Sequence, residues 1–160
     1  MDHRTLVNSL FQAIASSLGF QVTLGNKNLC NIKRKSTDEE TIVELPSNGE
    51  ILYIYTVIGD VPFDNREKVF EFILRLNLHG HGTNRGMIGI DAKTNKFVLS
   101  HSLLIRDLNE QLLLQWMREF FSTASQLREK LLQFFQIQTN LANDMPHDDL
   151  LLSPNLNLVI

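Results

Sequence analysis

Apolar residues recur at helical spacing in three separate stretches of the chain. Residues 3–17 predict a first helix, because their apolar side chains follow one another at intervals typical of one helix face: Leu6, Val7, Leu10 and Ile14. A second helix is predicted from about residue 64 to residue 79. A third is predicted to start near Asp107, which has capping-box spacing to Glu110, and to end before Asn140.

Between these helices the pattern changes to short strands separated by turn residues. The predicted strands are residues 20–24, 29–33, 51–58, 86–91 and 97–100, and residues 41–45 are either a further short strand or a continuation of the ladder of 29–33. Residues 34–40 mix both charge signs and predict an exposed loop. Strands joined by hairpins and separated from blocks of helix favour an α+β fold. We therefore expect an antiparallel sheet with three helices, in the order α-β-β-β-α-β-β-α.

The second helix carries more apolar surface than one sheet can cover. One arc holds Val69, Phe72, Ile73 and Leu76, and a neighbouring arc holds Phe70, Leu74 and Leu78. Both stripes could be buried within one protomer, but self-association through this helix is the favoured interpretation. Strand 51–58 is apolar on both faces, so one face meets the helices and the other is covered by chain or marks an interaction site.

The composition indicates one domain with an unusual distribution of charge. The chain has 160 residues, 15 Lys+Arg, 18 Asp+Glu and a net charge of −3. After residue 138 there is no Lys or Arg and there are three acids, Asp144, Asp148 and Asp149, so residues 1–138 carry equal numbers of positive and negative groups. This balance does not favour nucleic-acid binding. We expect a domain over residues 1–138 and an acidic, mobile tail over 139–160; alternatively, its apolar segments dock on the body or on a partner.

Two further features indicate the compartment. Cys30 is the single cysteine, so no intramolecular disulfide forms, as is usual in a reducing compartment. The chain shows no signal-peptide pattern after Met1 and no uninterrupted apolar run long enough to span a membrane. Membrane insertion is therefore not expected.

No arrangement of residues points to catalysis. His79 and His81 flank a glycine in a predicted loop, and His101 follows a strand, but no nucleophile or carboxylate is paired with them in the sequence. A hydrolase that uses these histidines is the weakest hypothesis. We expect no enzyme, no metal site and no cofactor.

Several stretches of sequence match one known family when taken in order. They are Leu18-Gly19-Phe20, the aromatic strand from Tyr53 to Pro62, Leu76-Asn77-Leu78 followed by Gly80-His81-Gly82-Thr83, and Gly89-Ile90-Asp91 followed by Phe97-Val98-Leu99. With the order of elements, they make the chain resemble the class I chaperones of bacterial type III secretion, the Tir-chaperone (CesT-like) family. The resemblance runs from about Leu6 to Phe134.

The resemblance implies a function that the residues alone leave open. Members of this family are cytoplasmic homodimers of Gram-negative bacteria that bind the N-terminal region of a secreted effector in extended form. They keep it soluble and secretion-competent, and they help to deliver it to the secretion apparatus, including its ATPase. The implied dimer-interface residues are Val69, Phe70, Ile73, Leu74, Asn77, Leu78, Met87, Ile88 and Ile90. The implied effector-binding residues are Leu6, Leu10, Phe11, Ile14, Phe20, Val22, Leu29, Ile32, Tyr53 and Tyr55.

Two departures from the family and two alternatives stay open at this point. Members are often more acidic than the neutral body here, and the tail after Asn140 is longer than the common pattern. A small-ligand or signalling module on a similar α+β sandwich is the alternative function. A heterodimer with another chaperone is the alternative to a homodimer.

Overall fold

One antiparallel sheet and three helices make up the part of the chain that the structure describes. The computed structural model describes residues 2–33, 40–47 and 49–143, with side chains described as far as residue 138. The elements are α1 (His3–Leu18), β1 (Leu29–Lys33), β2 (Glu40–Glu44), β3 (Ile51–Asp60), α2 (Arg66–Asn77), β4 (Met87–Asp91), β5 (Lys96–Leu104) and α3 (Glu110–Asn143). Their order confirms the predicted α+β fold. Short 3₁₀ turns follow α2 and β5.

The sheet has the strand order β1-β2-β3-β5-β4, and each neighbouring pair is antiparallel. The central strand β3 alternates strictly: Leu52, Ile54, Thr56 and Ile58 are buried against the helices. The residues between them face the opposite side and are half-buried or exposed. Strands β1 and β4 form the two edges, so the sheet presents one covered face, one outer face and two different edges.

The core lies between the inner face of the sheet and the helices. Its largest fully buried side chains include Phe11 from α1, Phe97 from β5 and Phe120 from α3. The first and last helices also contact each other, and the Arg118 guanidinium donates a hydrogen bond to the Ser17 carbonyl at 3.1 Å. The outer face of the sheet receives no helix from the described residues.

The predicted strand over residues 20–24 is wrong, although its alternation is real. Val22 and Leu24 are buried and their neighbours are exposed, yet this segment joins no ladder. The side-chain amide of Asn8 takes the place of a neighbouring strand: its Oδ1 accepts from the Leu24 N–H at 2.8 Å, and its Nδ2 donates to the Leu24 carbonyl at 3.3 Å. One side chain thus satisfies the backbone that a strand partner would otherwise pair.

The ends of the helices also differ from the prediction. The cap of α3 is Asn109, whose side-chain oxygen accepts from the Leu112 N–H at 2.9 Å, whereas Asp107 lies in a preceding 3₁₀ turn. The helix continues to Asn143. At α1, Gly19 ends the helix with φ +80° as predicted, but the Asp2 side chain makes no capping bond. Residues 34–39 of the predicted loop and residues 144–160 of the predicted tail lie outside the described residues.

Candidate partner-binding surfaces

Among the described residues, no strand pairs with the outer edge of β1. Hydrogen bonds alternate along an antiparallel pair, so every second residue turns its backbone groups away from its neighbour. The Leu45 N–H bonds the Asn28 carbonyl at 2.9 Å, towards β2, and the Gly25 N–H bonds the Leu29 carbonyl at 2.9 Å, on the other side. Asn31 lies two residues after Leu29 and has the same orientation, so its N–H and C=O also point outward, away from β2. Such an edge can accept an extended peptide.

A cleft of about 560 Å³ lies beside this open edge. It is bounded by the segment after α1, by β1 and β2, and by α3, and its lining includes Phe20, Ile32, Thr41, Phe121 and Ala124. Phe20 and Phe121 meet edge to face with ring centroids 5.8 Å apart. Two of the residues predicted to bind an effector, Phe20 and Ile32, are thus brought together next to the outward backbone of Asn31.

A side chain blocks part of the opposite edge of the sheet. Asn77, at the end of α2, donates from Nδ2 to the Ile88 carbonyl at 2.9 Å and accepts the Ile88 N–H on Oδ1 at 2.8 Å. Both backbone groups that Ile88 turns outward from β4 are therefore already paired. Asn77 was predicted to be a dimer-interface residue. Within the protomer, its side chain bonds the backbone of Ile88.

Several large apolar side chains near the β4 edge are exposed to solvent. Leu74 and Leu78 on α2 are 68% and 61% exposed, and Met87 and Ile90 on β4 are 67% and 48% exposed. We call these four residues the β4-end patch. The other predicted interface residues are less accessible: Val69, Ile73 and Ile88 are buried, and Phe70 is half-buried. The sequence left open that both apolar arcs of α2 are buried within one protomer. Leu74 and Leu78, on the second arc, are not buried there.

The outer face of the sheet carries both predicted tyrosines. The Tyr55 hydroxyl donates to Glu44 Oε2 at 2.9 Å, and burial, together with this carboxylate, raises the pKa of Tyr55 to about 12. Tyr55 also lines a hollow of about 340 Å³ with Met87, Ile90 and Val98. A residue predicted to bind an effector therefore adjoins residues predicted to form the dimer. Tyr53 lies two residues along on the same face, half-buried.

The remaining predicted effector residues divide by burial. Phe11, Ile14 and Val22 belong to the core, and Phe11 and Val22 also line a cleft of about 620 Å³ between α1 and residues 21–23. Leu6 and Leu10 are half-buried, and Leu29 is exposed at the edge strand. Contact of these residues with an effector stays a prediction.

Nothing among the described residues assembles into a reactive centre. They contain no group of three or more His, Cys, Asp or Glu side chains placed to hold a metal ion. His79 and His81 are exposed, with ring centroids 6.1 Å apart. His101 is buried with Nε2 3.0 Å from the Thr83 carbonyl, and its burial lowers its pKa. Within the same residues, no helix has the length and hydropathy needed to cross a membrane.

An unpaired strand edge, an adjoining cleft with aromatic and aliphatic side chains, and uncovered apolar side chains elsewhere are typical of a protein that binds other polypeptides. The profile of the Tir chaperone protein (CesT) family matches residues 9–128. The chain belongs to this family, which confirms the predicted resemblance and places the protein among chaperones rather than small-ligand modules.

Solved structures share the fold at low sequence identity. The ExsC–ExsE complex gives a TM-score of 0.68 at 18% identity, over 81% of this chain and 96% of that one. The HopA1–SchA chaperone–effector complex gives 0.62 at 15%, over 79% and 95%. The ExoU–SpcU complex of the Pseudomonas aeruginosa type III secretion system gives 0.57 at 13%, over 77% and 95%. No curated protein sequence matches the chain.

Several surface residues were not singled out from the sequence. Leu104, Phe63, Leu132 and Ile137 are large, apolar and exposed, and Phe121 and Thr41 line the cleft beside β1. Leu132 is exposed because of how α3 is positioned against the sheet. That position cannot be predicted from the spacing of residues within the helix. The cleft likewise depends on α3 contributing Phe121 and Ala124 to a lining shared with β1 and β2. These features required the tertiary structure.

Proposed function

We propose that this chaperone binds the N-terminal region of a secreted effector as an extended segment along β1. The observation that carries the proposal is the outer edge of β1, which no described strand pairs, beside a cleft lined in part by aromatic and aliphatic side chains. In this arrangement the outward N–H and C=O of Asn31 pair with the backbone of the effector, and an apolar effector side chain enters the cleft at Phe20 and Ile32. Bound in this way, the segment stays unfolded, soluble and competent for secretion.

The physical balance of this binding requires a large contact area. Ordering an unfolded segment costs conformational entropy, so backbone pairing at one strand is offset only when further surface is covered. The neutral body supplies this through apolar surface more than through charge, since residues 1–138 carry equal numbers of acids and bases. The cleft along α1 and the outer face at Tyr53 and Tyr55 extend the available contact surface.

We further propose a homodimer formed through the β4-end patch, defined above by four exposed residues of α2 and β4. Because Asn77 already pairs the outward groups of Ile88, the contact is made by side chains rather than by joining the two sheets. The two open β1 edges then remain accessible, so that one effector segment can contact both protomers. A heterodimer with a second chaperone is the competing outcome when the oligomeric state is measured.

The cellular setting completes the proposal. The family resemblance supports a cytoplasmic chaperone in a Gram-negative bacterium, acting without catalysing a reaction and presenting its effector to the secretion ATPase. No cofactor is required, since strand addition and side-chain packing supply the binding free energy.

The test begins with co-purification from the native cell and identification of the bound protein by mass spectrometry. The N-terminal segment of that protein is then titrated against the wild type and Asn31→Pro. Proline at this position removes an outward N–H and leaves the ladder to β2 in place, so the fold should persist while the affinity falls at least about tenfold. Unchanged affinity of a folded Asn31→Pro variant would overturn the assignment of the β1 edge.

A matched control separates loss of docking from loss of folding. Ile32 is the next residue, and its N–H points inward to β2, so Ile32→Pro should destabilise the protein itself. Hydrogen exchange on the wild-type complex is expected to protect the Asn31 amide. If the identified segment binds as a folded domain, with its own protected core, the extended mode is wrong.

A further inference from the structure

The cleft beside β1 has a second wall of backbone facing the strand. Residues 20–24 follow α1 and meet β1 at a turn, where the Gly25 N–H donates to the Leu29 carbonyl at 2.9 Å. Past this bond, no backbone hydrogen bond joins the two segments within the part of the chain that the structure describes. The cleft is lined by residues 19–21 on one side and by residues 31–33 on the other. The two segments therefore separate as they leave the turn, and the cleft lies between them.

Two sets of hydrogen bonds give the orientation of the backbone along residues 20–24. Both backbone groups of Leu24 bond the side-chain amide of Asn8 on α1, whereas the N–H of Gly25 bonds β1. The alternating burial of this segment indicates an extended chain, in which successive residues turn their backbone groups to opposite sides. Gln21 and Thr23 therefore turn their N–H and C=O groups to the side of β1, as Gly25 does.

Backbone donors and acceptors thus face the cleft from both sides. Gln21 and Thr23 make no backbone hydrogen bond to another described residue. Across the cleft, Asn31 and Lys33 occupy alternate positions of β1 and turn their groups away from β2. An extended polypeptide is the ligand that matches two such rows, because its own N–H and C=O groups alternate between its two sides.

The volume of the cleft matches a short stretch of extended chain. A strand rises about 3.4 Å per residue, neighbouring strands lie about 4.8 Å apart and a sheet layer is about 10 Å thick, so one residue occupies about 160 Å³. The cleft has a volume of about 560 Å³. It can therefore hold about three residues of a strand between β1 and residues 20–24.

The side chains that line the cleft favour one apolar residue in the occupant. A strand directs alternate side chains to opposite faces. The lining contributed by α3 includes Phe121 and Ala124, and Phe20 and Ile32 belong to the same lining. An apolar residue in the middle of a three-residue stretch can point to these side chains, while its two neighbours point to the opposite face.

We propose that the effector segment enters the cleft beside β1 as a central strand, bonded to β1 at Asn31 and to the facing segment at Gln21. This inference rests on the proposed function and specifies it further. A strand added to one edge uses every second residue for pairing, whereas a central strand uses every residue. The stretch that is recognised is therefore at least three consecutive residues without proline, with an apolar residue in the middle.

An ester scan of the bound peptide separates these two modes of pairing. Synthetic peptides cover the N-terminal effector segment identified by co-purification, and in each peptide a single backbone N–H is replaced by an ester oxygen. The replacement removes one donor and keeps the side chains. For a central strand, we expect replacements at three consecutive residues to weaken binding to the wild-type protein, each by about tenfold or more in titration calorimetry. A replacement outside the paired stretch is the matched control and should weaken binding less.

Each pattern of loss has one meaning. Losses at three consecutive residues support insertion between the two segments. Losses at every second residue would mean that only β1 is paired, which overturns this inference and leaves the proposed function standing. Small losses at every residue would overturn both, because the backbone of the peptide would then be unpaired.

Hydrogen exchange measured by NMR on the wild-type protein is an independent test. The Gln21 amide makes no hydrogen bond to another described residue, so it should exchange rapidly in the free protein, and the bound peptide should slow it at least about tenfold. The Val22 amide is the matched control, since the alternation turns it towards α1, and its rate should change less. Protection of both Gln21 and Asn31 supports the inference. Protection of Asn31 without Gln21 would overturn it, and protection of neither would contradict the proposed function as well.

Discussion

Leu74→Asp is the sharpest test of the proposed dimer. Leu74 lies in the C-terminal half of α2 and is 68% exposed in the protomer, so replacing it leaves the core untouched. If the β4-end patch is the dimer interface, this side chain is buried twice, once in each protomer. The substitution removes that burial and places two carboxylates in an apolar contact.

The magnitude follows from the exposed fraction. Full burial of a leucine side chain stabilises by about 1.5–3 kcal/mol, so burying the exposed two-thirds contributes about 1–2 kcal/mol. Two copies give about 2–4 kcal/mol for each dimer. The dissociation constant should therefore rise roughly 30- to 1,000-fold before the cost of burying charge is counted.

Sedimentation equilibrium over a concentration series measures this change, with a subunit mass of 18.4 kDa. Leu132→Asp is the matched control, because Leu132 is a leucine of similar exposure (62%) on the surface of α3 and should leave the dimer intact. Chemical denaturation should show that neither substitution unfolds the protomer.

Two results would refute the reasoning. A wild-type protein that is monomeric at micromolar concentration has no interface to break. A Leu74→Asp dimer that dissociates at the same concentration as the wild type would place the interface elsewhere, with the outer sheet face as the next candidate.

Three further predictions concern contacts within the protomer. Asn77→Ala leaves both outward groups of Ile88 unpaired and should lower the free energy of unfolding by about 1–3 kcal/mol in urea denaturation; a loss below about 0.5 kcal/mol would contradict the edge-closing role. Burial lowers the pKa of His101 in the folded state, so the unfolded chain binds more protons and stability should fall as the pH drops below about 6.5. His101→Gln should flatten that fall between pH 7.5 and 5.5, and an unchanged slope would show that other groups cause it. A Cβ on Gly82 would lie 2.8 Å from the backbone of α2, whereas one on Gly89 meets nothing within 4 Å, so Gly82→Ala should lower the melting temperature and Gly89→Ala should not.

The order of elements could be predicted because it depends on local patterns. Strand alternation and helical spacing are written in consecutive residues, so three helices and the strand blocks were correctly ordered. The error at residues 20–24 shows where this stops. The alternation of Val22 and Leu24 correctly predicted burial, but pairing of the Leu24 backbone is decided by Asn8, sixteen residues earlier, on a helix.

The surfaces were harder to predict than the elements. Excess apolar surface on α2 was visible in the sequence, but only the packing shows that Ile73 is buried and Leu74 is not. The dual contact of Asn77 with Ile88 depends on the end of α2 meeting β4. Residue types thus predicted the presence of binding surface, whereas its position follows from how the elements meet.

The two edges of the sheet differ, and this has a consequence for a protein that carries exposed backbone. Endless growth by sheet extension requires the β1 edge of one molecule to join the β4 edge of the next, a head-to-tail contact. Asn77 blocks that contact at Ile88. Ile90, two residues further along β4, turns its backbone groups to the same side as Ile88, so the block is local. Asn77 thus shortens the stretch of β4 that a β1 edge could join, which disfavours head-to-tail growth into fibres.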